Sequence, residues 1–320
     1  MPTFSHPSRI DTTVLPKALL AVGISLSLTA PLAASELAEG EILSKREITR
    51  AFSKAAGSAT VNIDNSTYAR LLDTYVSVSA TGITAFDYAA VSGGDRQALD
   101  GYIASLEAIN PTDLTRNQQI AYWSNLYNAV TLDVVIDAGE TRSIKDISIS
   151  VPENRKPKLG LFGGIKSAAS GGPWDVPLVD VNGIALTLNN IEHEILRQMN
   201  EPRIHYSINC ASFSCPNLKA EPWVAANLNA ELDAAARSFV NHPRGVRVTG
   251  NGGVVVSKIY DWFAKDFGKT DAAVLAHIAP HAEGELASAV RSASSIADHQ
   301  YDWTLNSPGK VAELEQAGGS

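Results

Sequence analysis

The densest group of chemically capable side chains lies in residues 202–216, PRIHYSINCASFSCP, which hold both cysteines of this 320-residue chain. Apolar and polar residues alternate up to Cys210, whereas small and hydroxyl residues lead from there to Cys215 and a closing proline. This change predicts a strand over residues 204–210 that runs into a tight loop. Such a loop can present a thiol, so we expect chemistry here first.

Three kinds of chemistry are open to these residues, because their spacing is not a specific signature. A catalytic Cys210 would need a base to lower its pKa, and His193 or His205 could supply it. The period of a strand, however, puts His205 on the face opposite Cys210. Cys210 and Cys215 could instead form a structural disulfide, or Cys210 could be an inert buried thiol. Zinc is the third option, although no second cysteine pair exists to complete a common site.

A helix predicted over residues 190–200 offers a further polar group. On a helical wheel Glu192 falls inside the apolar stripe, whereas His193 and Arg197 share the opposite side. A carboxylate in that position either contacts a buried base or cation, or closes a capping box from Asn189. Both interpretations remain open at this level.

Two amides, Asn125 and Asn128, lie in the strongly apolar helix predicted over residues 117–138. Buried amides must find hydrogen-bond partners. They could orient a histidine or line an oxyanion site, or they could tie the helix to a neighbouring loop.

The elements that must position these residues follow from periodicity and turn signals. Helical spacing predicts helices over residues 65–78, 96–109, 117–138, 190–200, 223–240 and 259–267, with two more between 271 and 292. Hairpins are predicted around Asn182-Gly183 and residues 250–253, and a late strand within 295–305. The pattern predicts an α+β fold, a helix-rich single domain with a small antiparallel sheet and hairpins. Residues 152–177, rich in glycine and proline, predict a long loop that either covers a site or is a surface insertion.

Composition and the N-terminus bound the class of protein. Arg9 and Lys17 precede an uncharged apolar run over residues 18–30, with small residues after it, which predicts a signal peptide over residues 1–35. We therefore expect an exported protein, periplasmic or secreted, with no membrane attachment after cleavage. The net charge of −8 argues against nucleic-acid binding. No cofactor and no metal is indicated, and a peptide or protein is the ligand we expect.

Several segments together resemble the domain-of-unknown-function 547 family. The matching pieces are YWSNLYNAVT, LTLNNIEHEILR, PRIHYSINCASFSCP, SKIYDWFAKDFG and YDWTLN, within about residues 117–306. The resemblance implies one α+β domain, so we divide the chain into residues 1–35 (signal peptide), 36–115 (N-terminal helical part), 116–306 (family core) and 307–320 (tail). The family's name records that it has no agreed activity.

The resemblance also implies which polar positions characterise the family. These are Glu192, His193, Arg197, Arg203, His205, Asn209, Cys210, Ser214 and Cys215. Members of the family also occur in intracellular plant proteins, which makes a purely structural disulfide less natural.

These observations lead to a hypothesis of an exported thiol-dependent hydrolase that acts on peptide or amide bonds. Cys210 would be the nucleophile, His193 or His205 the base, and Glu192 or an asparagine the group that orients it. Histidine before cysteine in the chain is the order of a permuted papain-like arrangement, by analogy only. The residues expected to bind substrate are Asn125, Asn128, Arg197, Arg203, Asn209 and Ser214. The alternative is a non-catalytic binding module stapled by a Cys210–Cys215 disulfide.

Overall fold

The computed structural model describes residues 40–52, 57, 61–150 and 170–318 of the chain. Its helices are α1 (Lys45–Phe52), α2 (Ser66–Tyr75), α3 (Gly93–Glu107), α4 (Arg116–Ala138), α5 (Leu228–Val240), α6 (Ile259–Trp262), α7 (Asp271–Ile278), α8 (Gly284–Ser292) and α9 (Pro308–Gly318). Its strands are β1 (Val76–Val78), β2 (Thr84–Phe86), β3 (Ile149–Ser150), β4 (Ser170–Gly171), β5 (Val179–Val181), β6 (Ile184–Leu186), β7 (Val246–Val248), β8 (Val254–Ser257) and β9 (Asp298–Gln300). The predicted signal peptide and residues 152–169 of the predicted glycine-rich loop lie outside the described residues.

The fold is organised around helix α4. Thr115 and Gln118 form a capping box at its start, and Gly139, with φ 68°, ends it. Every residue from 118 to 135 is buried, so the helix is surrounded by other elements on all sides. The helix predicted over residues 117–138 is confirmed.

The strands form small, separate sheets. β1–β2, β3–β4 and β5–β6 are antiparallel pairs. At the β5–β6 turn Asn182 and Gly183 both have positive φ (56° and 73°), as a tight hairpin turn requires. β8 pairs antiparallel with β7 but parallel with β9, so the largest sheet in the described part of the chain is mixed. Residues Ala34–Ser320 form one compact unit, and the predicted single α+β domain is confirmed.

Two segments near the cysteines differ from the sequence prediction. The strand predicted over residues 204–210 is wrong, because Pro202–Tyr206 is a 3₁₀ helix and residues 207–210 have no regular structure. Ile204, His205 and Tyr206 are all buried, so the apparent alternation was not a strand with one exposed face. The helix predicted over residues 190–200 exists, but as a π-helical turn, Asn190–Ile195, followed by a 3₁₀ turn, Leu196–Met199.

Two other predicted helices have different ends. α5 begins at Leu228 and not at residue 223, and α6 ends at Trp262 and not at residue 267. No helix of the described residues is long and apolar enough to span a bilayer.

Candidate active site

The loop over residues 209–216 is shaped by the side chain of Asn209. Its Oδ1 accepts a hydrogen bond from the Ala211 amide at 2.8 Å, and its Nδ2 donates to the Pro216 carbonyl at 2.7 Å. Ala211 adopts a left-handed φ of 58°, which is unfavourable for a non-glycine residue and turns the chain directly after Cys210. The turn brings the Cys210 amide to 3.0 Å from the Cys215 sulfur, to which it donates.

Helix α4 holds this loop in place through its two amides. Asn128 accepts from the Asn209 amide at 2.8 Å and donates to the Ser207 carbonyl at 2.9 Å. Asn125 exchanges two hydrogen bonds with the backbone of Trp223, each 2.9 Å long. Both amides therefore hydrogen-bond backbone groups of neighbouring segments, as the structural interpretation predicts.

Both cysteines are free thiols, so the disulfide considered from the sequence is not present. Cys210 is half-buried, and its sulfur lies 3.2 Å from the Tyr301 hydroxyl and 3.3 Å from the Ser212 hydroxyl. Cys215 is buried. The structure forms no hydrogen bond between the Cys210 sulfur and either His193 or His205, which differs from the expected Cys–His pair.

The pKa values of the two thiols depend on each other, because the two side chains are in direct contact. The hydrogen bond to Cys215 and burial raise the pKa of Cys210 well above its usual range. Burial alone would also raise the pKa of Cys215, but hydrogen bonds from Cys210, Tyr301 and Ser212 lower it to about 7. The two sulfurs therefore titrate as one unit, and loss of the first proton leaves a single negative charge on the pair. Among the described residues, no three histidine, cysteine or acidic side chains are grouped to hold a metal ion.

The sulfurs lie in the wall of a small cavity of about 90 Å³, which Glu192 and His205 also line. A wider vestibule of about 440 Å³ shares part of that wall. The residues common to both spaces are Trp174, Glu192, Trp262, Phe263 and Trp303. The tryptophan rings contact one another, with centroids 5.8 Å apart for Trp174–Trp303 and 5.6 Å for Trp262–Trp303. An aromatic vestibule thus adjoins an inner cavity with titratable groups.

Glu192 reaches the cavity from the π-helical turn Asn190–Ile195, a rare geometry that is frequent at functional sites. Its carboxyl is buried and accepts a hydrogen bond from the Tyr127 hydroxyl at 3.4 Å. Burial, together with the nearby Cys215, raises the pKa of Glu192 to about 7. The capping box from Asn189 is wrong, because the Asn189 side chain makes no capping bond.

His205 is held by a carboxylate that the sequence analysis did not single out. Its Nε2 lies 2.8 Å from Asp266, and its ring stacks on Phe263 with centroids 4.3 Å apart. Arg197 binds the same carboxylate in a two-pronged ion pair. Although burial would raise the pKa of Asp266, His205 and Arg197 lower it to about 2. Burial lowers the pKa of His205, so a neutral imidazole faces an ionised carboxylate.

The other predicted site residues lie further from the sulfurs. His193 and Arg197 line the vestibule, and burial together with Arg197 lowers the pKa of His193 to about 4. Arg203 pairs with Glu201 and Asp233, outside both spaces. Ser214 accepts from the Asp302 amide at 2.8 Å and holds the loop. Of the expected substrate-binding residues, only Arg197 therefore faces the vestibule.

Comparison of the chain with known proteins gives one match, which is to a family model. A family model described as "Protein of unknown function, DUF547" matches residues 111–240 of the chain, so this segment is similar to that family. The segment includes α4, Glu192, His205 and both cysteines, whereas Asp266, Tyr301 and Trp303 lie beyond it. No curated protein and no solved structure matches the chain.

Proposed function

We propose that this protein is a thiol-dependent hydrolase that cleaves amide or peptide bonds, with Cys210 as nucleophile. One observation supports the proposal above others: a thiol pair, a carboxyl with a pKa of about 7 and a carboxylate-held imidazole all line one cavity of about 90 Å³. Titratable groups shifted toward neutral pH cluster at catalytic sites more than elsewhere.

The thiol pair can generate its own nucleophile. The Cys215 thiolate accepts the proton of the Cys210 thiol, and the half-buried Cys210 sulfur then attacks the carbonyl carbon of the substrate. The hydroxyls of Tyr301 and Ser212, within 3.3 Å of that sulfur, are the donors available to the developing oxyanion.

Glu192 fits the role of general acid and base better than either imidazole. With a pKa of about 7 it exists in both forms at neutral pH. The protonated carboxyl gives its proton to the leaving amine as the thioester forms. The carboxylate then takes a proton from the water that hydrolyses the thioester, and the released Cys210 thiolate recovers its proton from Cys215. His205 is held by its hydrogen bond to Asp266 and is a positioning residue, which forms the cavity wall near Glu192 and the thiols.

The same proposal includes export, on the strength of the sequence of residues 1–35. Amino-terminal sequencing of the protein from fractionated cells tests this part separately. A mature end near Ser35 or Glu36 in the exported fraction supports it, and an intact Met1 in the cytosolic fraction contradicts it.

Trapping of the acyl-enzyme tests the proposed chemistry directly. The protein is incubated with a panel of peptidyl thioesters and activated amides, quenched in acid and analysed by intact mass and peptide mapping. We expect an acyl group on Cys210 in the wild type, its accumulation in Glu192→Gln, and none in Cys210→Ser. Cys215→Ser is the matched control, which should keep the acylation site but slow its formation. Acylation that persists in Cys210→Ser would contradict the proposal.

A further inference from the structure

A second cavity lies on the other side of the cysteine loop. Its volume is about 590 Å³, and Phe213 and Ser214 of the loop form part of its wall. Tyr301 lines both this space and the inner cavity at the thiols. It is distinct from the vestibule, with which it has no lining residue in common.

A buried guanidinium without an anionic partner lines this second cavity. Arg244 is only 6% exposed, and it donates to the Phe213 carbonyl at 2.9 Å and to the amide oxygen of Asn217. Its Nε has no hydrogen-bond partner. Both acceptors are neutral, and within the described ranges no carboxylate forms an ion pair with Arg244.

Such a charge is costly to bury unless an anion compensates it. Burial lowers the pKa of Arg244 to about 10, which leaves the side chain charged at neutral pH. Because Arg244 lines the cavity, an anion bound there could compensate the charge of the guanidinium.

The carboxylates in the same wall are already engaged with other groups. Glu315 accepts hydrogen bonds from the hydroxyls of Ser79 and Thr81. Asp302 accepts from the Thr304 amide at 2.8 Å. The second guanidinium of the wall, Arg247, donates to the side-chain oxygen of Gln300 at 2.9 Å.

The rest of the wall is largely apolar. Its apolar members are Ile83, Phe213, Pro243 and Leu314. We infer that this cavity binds a small organic carboxylate, with its charged end against Arg244 and an apolar body against these side chains. The inference is independent of the proposed function, because it uses neither cysteine nor Glu192.

Calorimetric titration of the intact protein with hexanoate, and with hexanamide as the neutral match, tests this site. We expect hexanoate to bind with a dissociation constant of about 1 mM, a weak affinity typical of so small a ligand. Hexanamide should bind at least about tenfold more weakly, because a neutral amide lacks the ionic attraction between a carboxylate and the guanidinium. Arg244→Gln should abolish the preference, and Cys210→Ala should keep hexanoate binding unchanged.

A second variant keeps the test decisive if Arg244→Gln does not fold. Glu315→Gln removes a negative charge from the wall while an amide oxygen remains to accept from Ser79 and Thr81. It should tighten hexanoate binding about threefold or more by removing repulsion, without changing hexanamide binding. Equal affinity for acid and amide, no binding of either, or weaker hexanoate binding in Glu315→Gln would overturn the inference. Loss of hexanoate binding in Cys210→Ala would assign it to the thiol site instead.

Discussion

At the scale of single residues, the cavity combines groups that cannot all be charged together. Glu192 and Cys215 both have pKa values of about 7, and each disfavours ionisation of the other. The hydroxyl groups of Tyr127 and Tyr301 reduce this repulsion, since they hydrogen-bond Glu192 and the Cys210 sulfur respectively. The site therefore changes its protonation close to neutral pH.

The substitution Glu192→Gln should make stability less dependent on pH. The folded-state pKa of about 7 lies above the ordinary glutamate value of 4.5, so the wild type loses stability as the pH rises from 4.5 through 7. Glutamine has no proton to lose. Urea unfolding should give equal free energies for variant and wild type at about pH 4, and an advantage for the variant of up to about 3 kcal/mol at about pH 8. A variant that is less stable than the wild type at the higher pH would show that the carboxylate is stabilised here.

At the scale of elements, the cysteine loop depends on helix α4 and not on a strand. Asn128 satisfies one amide and one carbonyl of the segment before Cys210, and Asn209 bridges the two ends of the loop. Ala211 keeps its left-handed conformation because these bonds fix both of its sides.

Removal of the Asn128 side chain should therefore destabilise the protein and loosen the loop. Asn128→Ala leaves the Asn209 amide buried without a partner and removes one of the two hydrogen bonds to the Ser207 carbonyl, which keeps only that from Trp223 Nε1, so it should cost about 2–4 kcal/mol in the free energy of unfolding. Asn227→Ala is the matched control, since that exposed amide makes no capping bond, and it should stay within about 0.5 kcal/mol of the wild type. Hydrogen exchange at residues 209–216 should rise in the first variant alone. Unchanged stability of Asn128→Ala would mean that the loop holds itself.

How far the sequence predicts the site differs from one element to the next. Helix α4 and the Asn182-Gly183 hairpin follow from local signals, namely an uninterrupted apolar pattern and a dipeptide suited to positive φ. The π-helical turn with Glu192 has no such signal, because one extra residue in a turn is set by tertiary packing and not by propensity. The strand predicted before Cys210 is wrong, because a short segment that is buried on all sides shows no hydrophobic periodicity from which its secondary structure could be predicted.

At the scale of the whole molecule, the site depends on contacts that are distant in sequence. The three tryptophans of the vestibule stand at positions 174, 262 and 303, so each lies more than forty positions from the next along the chain. Asp266 reaches His205 from 61 residues away, and Tyr301 reaches Cys210 from 91 residues away. The SKIYDWFAKDFG segment signals Asp266 only through its resemblance to the family, since no local pattern marks this carboxylate as a partner of histidine.

If the vestibule guides substrates to the cavity, its most exposed tryptophan should affect binding more than chemistry. Trp262 is 42% exposed and packs on Tyr301 and Trp303. Trp262→Ala should raise KM about tenfold for an amide substrate with an aromatic group, and leave kcat within about threefold. Val248→Ala, an equally exposed side chain on β7, should change neither constant. A fall in kcat with unchanged KM would remove the vestibule from substrate binding.

The rate of Cys210 alkylation as a function of pH tests the central claim most directly. Folded protein is treated with iodoacetamide between about pH 5 and pH 10, and modification of each cysteine is followed by peptide mass spectrometry. The account predicts that Cys210 reacts first, with a rate that rises through a midpoint near pH 7 and loses that midpoint in Cys215→Ser. A Cys210 that reacts only above about pH 9, or only after unfolding, would contradict it.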